Sequence, residues 1–344
     1  MASLALTLLR GAARSPFKRP RPDAPLPGPT TARVRTGIDH LVAYERLCGF
    51  AAGQGGGRSA DGGGPAGGDP LPPTYPHVLA FPQTMRLMAA RDFPLPLLGL
   101  VHTSVEIVQH RAPLPDDELE LTTYARSLAP HRRGTEAMIT TSARVHGETV
   151  WESHSTYLSR HRTTADHQEA DRTTADHPET DHPAPAPAKA PGAPLPARAD
   201  WRLPADLGRR YAAVSGDRNP IHLHAATARL FGFPRAIAHG MWTVARCVAE
   251  HSGLGAVDEP LYVSAEFKAP VLLPGAVTYA AEGAAFELRG ATGATEATEA
   301  TEATGRVHVT GSVTRTAPPS DRRDPPRRSS SGSPRPGSRT RTAR

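Results

Sequence analysis

Apolar and polar residues alternate over Val101–Val108, Leu119–Ala129, Ala137–Val145 and Val150–Leu158. The alternation returns over Tyr262–Phe267, Ala276–Gly283, Ala285–Leu288 and Arg306–Val313. A two-residue period marks strands with one buried face. Ahead of each set lies an apolar stretch with helical spacing, Met85–Met88 in the first case and Met241–Val248 in the second. Each of these helices comes after a proline, and a shorter helix precedes each. Pro113 and Pro270 fall where a strand must bend or form an edge. One central helix followed by an antiparallel meander gives an α+β unit whose sheet can wrap the helix. The pattern predicts two such units.

Short motifs recur between the two sets in the same order. Tyr44-Glu-Arg-Leu-Cys-Gly-Phe50 matches Tyr211-Ala-Ala-Val-Ser-Gly-Asp217, and Pro76-His-Val-Leu-Ala-Phe-Pro82 matches Pro234-Arg-Ala-Ile-Ala-His-Gly240. Arg111-Ala-Pro-Leu114 matches Lys268-Ala-Pro-Val271. Ordered internal repetition of this kind is the signature of a duplicated unit. Four segments lack the pattern. These are the glycine-rich run 51–70, the segment 161–198 with its duplicated Arg-Thr-Thr-Ala-Asp-His and Pro-Ala repeats, the Ala-Thr-Glu run 290–305, and the Ser/Pro/Arg run 316–344. The chain is therefore expected to divide into a leader at 1–32, a first domain at 33–160, a linker at 161–199, a second domain at 200–315 and a basic tail at 316–344.

Composition changes this picture in three places. Glycine and proline number 31 and 36 among 344 residues, about a fifth, which fits ordered blocks separated by low-complexity segments. The formal net charge of +6 resides wholly in residues 316–344, so the two domains are neutral overall. That tail has no aromatic residue to stack on bases, so no specific nucleic-acid partner is expected. No apolar run approaches the roughly 18 residues that cross a bilayer, and the leader lacks the charge order of a secretory signal. Cys48 and Cys247 lie apart in apolar stretches and make neither a disulfide framework nor a zinc site unaided. A reducing, cytoplasmic setting is expected.

The chemistry concentrates in the second block. Asp217 and His222 flank a turn formed by Arg218, Asn219 and Pro220. A carboxylate and an imidazole on one turn can hold a single water, with the neutral imidazole taking a proton and the carboxylate orienting the water or exchanging a second proton. His239-Gly240-Met241 opens the central helix, where free backbone amides and the absence of a Cβ suit a developing oxyanion. The first block has Phe50 where the second has Asp217, and Pro82, which carries no N–H, where the second has Gly240. One block is competent for chemistry and the other degenerate. Asp217 and His222 also suit a plain turn-capping role, and His222, His224 and His239 lack the spacing of a metal site.

Ser215-Gly-Asp-Arg-Asn-Pro-Ile-His222, with Leu230-Phe-Gly-Phe-Pro234, Ile237-Ala-His-Gly-Met241 and Phe267-Lys-Ala-Pro-Val-Leu-Leu-Pro274, resembles the MaoC-like hydratases and dehydratases. The first block, through Thr74-Tyr-Pro-His-Val-Leu-Ala-Phe-Pro82, Val101-His102, Pro130-His-Arg-Arg-Gly134 and Val150-Trp151, is similar to the N-terminal half of actinobacterial double-hotdog (3R)-hydroxyacyl-thioester dehydratases. The resemblance implies two hotdog units in one chain and reversible syn hydration of a trans-2-enoyl thioester. It implies Asp217 and His222 as the catalytic pair, Asn219 steadying the loop, the Gly240 amide polarising the thioester carbonyl, and neither metal nor cofactor. Ser215 and His239 join Gly240 and Asn219 as expected substrate-site residues. Phe50, Phe81, Met85 and Met88 are expected to border an acyl tunnel. The partner is an acyl-CoA or acyl carrier protein thioester, and the chain forms a pseudo-dimer by itself, as a monomer or within a homodimer. A non-catalytic acyl-thioester-binding subunit is the competing reading. A thioesterase would need a carboxylate on the central helix, and Met241–Ala249 has none.

Overall fold

The computed structural model describes residues 15, 18–50, 69–161, 194–251, 259–291 and 305–315. Half of the leader, most of the glycine-rich run, linker and Ala-Thr-Glu run, and all of the tail lie outside them. The first half runs β1 (Thr30–Arg35), α1 (Ile38–Cys48), α2 (Tyr75–Ala89), β2 (Leu100–Gln109), β3 (Glu118–His131), β4 (Gly134–Val145) and β5 (Glu148–Arg160). The second runs β6 (Ala197–Leu203), α3 (Leu207–Ser215), α4 (Pro220–Leu223), α5 (Ala225–Arg229), α6 (Gly240–Glu250), β7 (Leu261–Phe267), β8 (Gly275–Glu282), β9 (Ala285–Gly290) and β10 (Val307–Thr314). Among the described residues no helix is long and apolar enough to cross a membrane.

All ten strands form one sheet in the order β1-β3-β4-β5-β2-β7-β10-β9-β8-β6. From either edge inward, the two halves pair their strands in a closely related way around a shared centre. This is a double hotdog. The halves join where β2 and β7 pair antiparallel, from Ser104 opposite Glu266 to Gln109 opposite Leu261. One apolar core crosses that seam and buries Tyr44, Trp151, Tyr211 and Trp242, while a second cluster around Phe81, Met88, Phe93 and Ile139 belongs to the first half.

The alternating segments become β2–β5 and β7–β10 with ends moved by a few residues at most. Two further strands, β1 and β6, lie ahead of the segments read as strands, and the expected boundaries at 32 and 199 fall inside them. Both are sheet edges. In β1 no residue is buried, and Arg33 and Arg35 meet Glu120 and Glu118 across the ladder. Each edge strand turns small or single apolar residues, Val34 in β1 and Ala199 and Trp201 in β6, towards the core, and the charged residues between them discourage pairing with other chains.

The central helix of the first half also departs from expectation. It begins at Tyr75 and carries Pro82 in its interior, so Pro82 does not stand where Gly240 opens α6. The match between 76–82 and 234–240 joins a helix to the non-helical stretch ahead of α6, and reflects shared small and apolar composition. Pro76 occupies the first turn of α2, where a missing N–H is tolerated. The match at Tyr44 and Tyr211 holds in detail: α1 and α3 both end on a left-handed glycine, Gly49 at φ 81° and Gly216 at φ 75°. The next residues are Phe50 and Asp217.

Candidate active site

The left-handed turn at Gly216 breaks α3 and sends the chain into a loop bound to itself. The Asp217 N–H donates to Ser215 Oγ at 3.2 Å, and the Asn219 N–H donates to Asp217 Oδ1 at 3.1 Å. Asn219 then caps α4, its Oδ1 accepting from the Ile221 N–H at 3.4 Å. Ser215 and Asn219 thus hold the loop in shape, Ser215 Oγ acting there as an acceptor.

His222 is buried on α4, and its Nδ1 lies 2.8 Å from the Ile237 carbonyl. A carbonyl only accepts, so Nδ1 carries the proton and Nε2 keeps a free lone pair. Burial lowers the His222 pKa, opposed by the nearby Asp217 charge and the Ile237 hydrogen bond. The imidazole is neutral near pH 7 and available as a base. His239 stacks on it with ring centroids 3.7 Å apart, and its Nε2 donates to the Asp217 carbonyl at 3.0 Å. Burial, then the neighbouring His222, lowers the His239 pKa to about 3. His239 ties Asp217 to the His222 imidazole through its Nε2 bond and ring stacking.

One ligand atom each from Asp217, His222 and His239 lies within 4.8 Å of the others. That spacing is one a single water can bridge, since two hydrogen bonds of about 2.8 Å span it. A zinc ion takes three or four protein ligands. Here His239 Nε2 is taken by the Asp217 carbonyl, and its Nδ1 is buried without a hydrogen-bond partner.

The pair opens into a cavity of about 540 Å³ shared by both halves, within the usual range for a small-ligand site. Gly240 lines it as the first residue of α6, whose initial N–H groups have no intrahelical acceptor. A Cβ at Gly240 would stand 2.8 Å from Cε1 of Phe267, which also lines the cavity. Gly240→Ala is therefore expected to displace that ring and the helix start, lowering kcat/KM by ~10-fold. Steady-state kinetics on folded protein check this.

Phe81, Met85 and Met88 line the opposite wall along one face of α2. Phe50 is not among the lining residues. It packs on the core against Tyr44, ring centroids 6.1 Å apart, because the turn at Gly49 directs it inward. Three residues that no catalytic motif singles out also reach the cavity: His77 on α2, His102 on β2 and Tyr157 on β5. His102 stacks on Tyr157 at 4.5 Å and lies 6.2 Å from His77. Burial lowers the pKa of His77 to about 4 and of His102 to about 3, and raises that of Tyr157. Separated in sequence, they carry no joint signal there. His110, by contrast, pairs with Glu152 at the surface.

Fold and site define a class: a double hotdog with an Asp–His pair beside a helix terminus in a cavity shared by both halves. The family profile described as MaoC like domain matches residues 186–304. The 3-hydroxyacyl-thioester dehydratase X of Mycobacterium tuberculosis is 35% identical over 279 residues, spanning 80% of this chain and 88% of that protein. The crystal structure of HtdX from the same organism aligns with a TM-score of 0.62 at 28% identity, over 83% of this chain and 99% of that one. A MaoC-like dehydratase from Phytophthora capsici shares the fold at a TM-score of 0.58 and 17% identity, over 86% and 96% of the two chains. The chain belongs to the MaoC-like dehydratase family, and it is a hydro-lyase.

Proposed function

We propose that the protein reversibly hydrates trans-2-enoyl thioesters to (3R)-3-hydroxyacyl thioesters of CoA or acyl carrier protein, in fatty-acid metabolism. One observation carries the reading: Asp217 and His222 place ligand atoms within 4.8 Å of each other, a spacing one water can bridge, in a cavity that also contains the N-terminus of α6. In the hydration direction the water oxygen bonds to C3 as His222 Nε2 takes its proton, with Asp217 orienting the water. The electron pair of the C2–C3 double bond moves towards the thioester oxygen, which the Gly240 N–H stabilises. A proton returned from the pair to C2 completes the addition on one face, and dehydration is the reverse. The name of the Mycobacterium tuberculosis relative supports the 3-hydroxyacyl thioester as the substrate class.

The test is turnover of crotonyl-CoA and longer trans-2-enoyl-CoAs by the purified full chain, with chiral analysis of the product. The (3R) alcohol is expected. Binding without turnover would assign the protein instead as an acyl-thioester-binding subunit. The pH profile is a second test. The active form of His222 is neutral and burial holds its pKa below the ordinary imidazole value of 6.5. The acid limb of kcat/KM is therefore expected below pH 6.5. A limb at or above that pH would remove His222 as the base.

A further inference from the structure

The last turn of α3 leaves carbonyls without intrahelical partners. One of them, Val214, accepts a hydrogen bond from a residue 174 positions away in the other half: His40 Nε2 lies 2.7 Å from the Val214 oxygen. Because the carbonyl only accepts, Nε2 carries the proton, and Nδ1 then accepts from the Tyr75 hydroxyl at 2.7 Å. Both ring nitrogens thereby have hydrogen-bond partners. His40 lies in the first turn of α1, and the fully buried Tyr75 is the first residue of α2. One ring thus joins both helices of the first half to the end of the helix that carries the catalytic loop.

Beyond Val214 the chain runs through a series of dependent positions. Ser215 accepts from the Asp217 N–H, Gly216 makes the left-handed turn, and Asp217 is held through its carbonyl by His239 and through Oδ1 by Asn219. The position of the Val214 peptide sets where this sequence of bonds begins. We infer that His40 is a positioning residue for the Asp217 carboxylate, and that the half without an acid–base pair acts on the reaction through this brace. The inference rests on the proposed role of Asp217 and His222.

The experiment compares His40→Leu, which removes both hydrogen bonds, with His40→Gln, whose amide can place a donor near the position of Nε2. Each is read by kcat and KM on crotonyl-CoA and by amide hydrogen exchange over residues 212–222, after thermal melting confirms folding. For His40→Leu kcat is expected to fall ~10-fold, since small misplacements of reacting groups cost that much or more. Its KM should stay within about twofold, because Gly240 and the cavity wall are untouched. Exchange at 216–219 should rise, and His40→Gln should restore both readouts to within about threefold of the parent. Native kcat and exchange in His40→Leu would overturn the brace. So would a His40→Gln as impaired as His40→Leu, because ring bulk rather than the donor would then matter. The exchange readout needs no substrate. Raised exchange in His40→Leu alongside a parent protein that does not hydrate crotonyl-CoA would count against the proposed reaction while supporting the brace.

Discussion

Exchanging His222 for glutamine is expected to lower hydration of crotonyl-CoA by at least ~10²-fold with the protein still folded, the loss typical of a removed general base. Asp217→Asn should do the same. The asparagine keeps an oxygen where Oδ1 accepts from the Asn219 N–H, so the loop retains its bonds while the carboxylate charge is lost. Glutamine at 222 can still donate towards the Ile237 carbonyl but has no imidazole lone pair to receive the proton. Both variants thus separate chemistry from scaffolding. Rates are measured on protein whose melting curve matches the parent. Turnover near that of the parent in either variant would remove that residue from the acid–base pair and leave it a turn-capping role.

The second half was legible in the sequence because its chemistry is local. Ser215, Asp217, Asn219 and His222 lie within eight consecutive residues, and one glycine-terminated helix and one Asn-capped turn hold them together. Alternation gave away eight strands because each buries one face. The edge strands β1 and β6 alternate too, but their runs are short, their inward faces are mostly only half-buried, and they adjoin the segments read as leader and linker. Pro82 misled for a different reason. Proline in a helix interior costs about 3 kcal/mol, so a break was expected there, yet α2 buries Phe81, Met85, Leu87 and Met88 in its second half, and tertiary packing outweighs the local cost. Non-local placement was beyond reach. His77, His102 and Tyr157 come from three elements, and only the closure of the sheet at β2 and β7 brings them to one cavity. Phe50 erred in the opposite sense: its sequence position matches Asp217, but an aromatic ring after the turn is drawn to Tyr44 and the core.

The two halves have related topology, and we propose that the α2 wall is the place where acyl chain length is sensed. Phe81, Met85 and Met88 present apolar surface to the cavity that holds Asp217 and His222. Met85→Trp is expected to leave the four-carbon substrate within about twofold of the parent and to penalise ten- and twelve-carbon substrates. Burying each methylene is worth about 0.8 kcal/mol, so excluding three of them costs about 2.4 kcal/mol, on the order of 50-fold in kcat/KM. Met85 suits the larger side chain better than Met88, because it is 9% exposed against 2% and a fully enclosed site resists added volume. Met88→Ala supplies the opposite change, widening the wall, and should spare or favour the longest chains. Phe50→Leu is the control: Phe50 does not line the cavity, so the chain-length profile should keep its shape even if stability falls. A profile shifted by Phe50→Leu and unmoved by Met85→Trp would place the acyl chain elsewhere and leave α2 as packing alone.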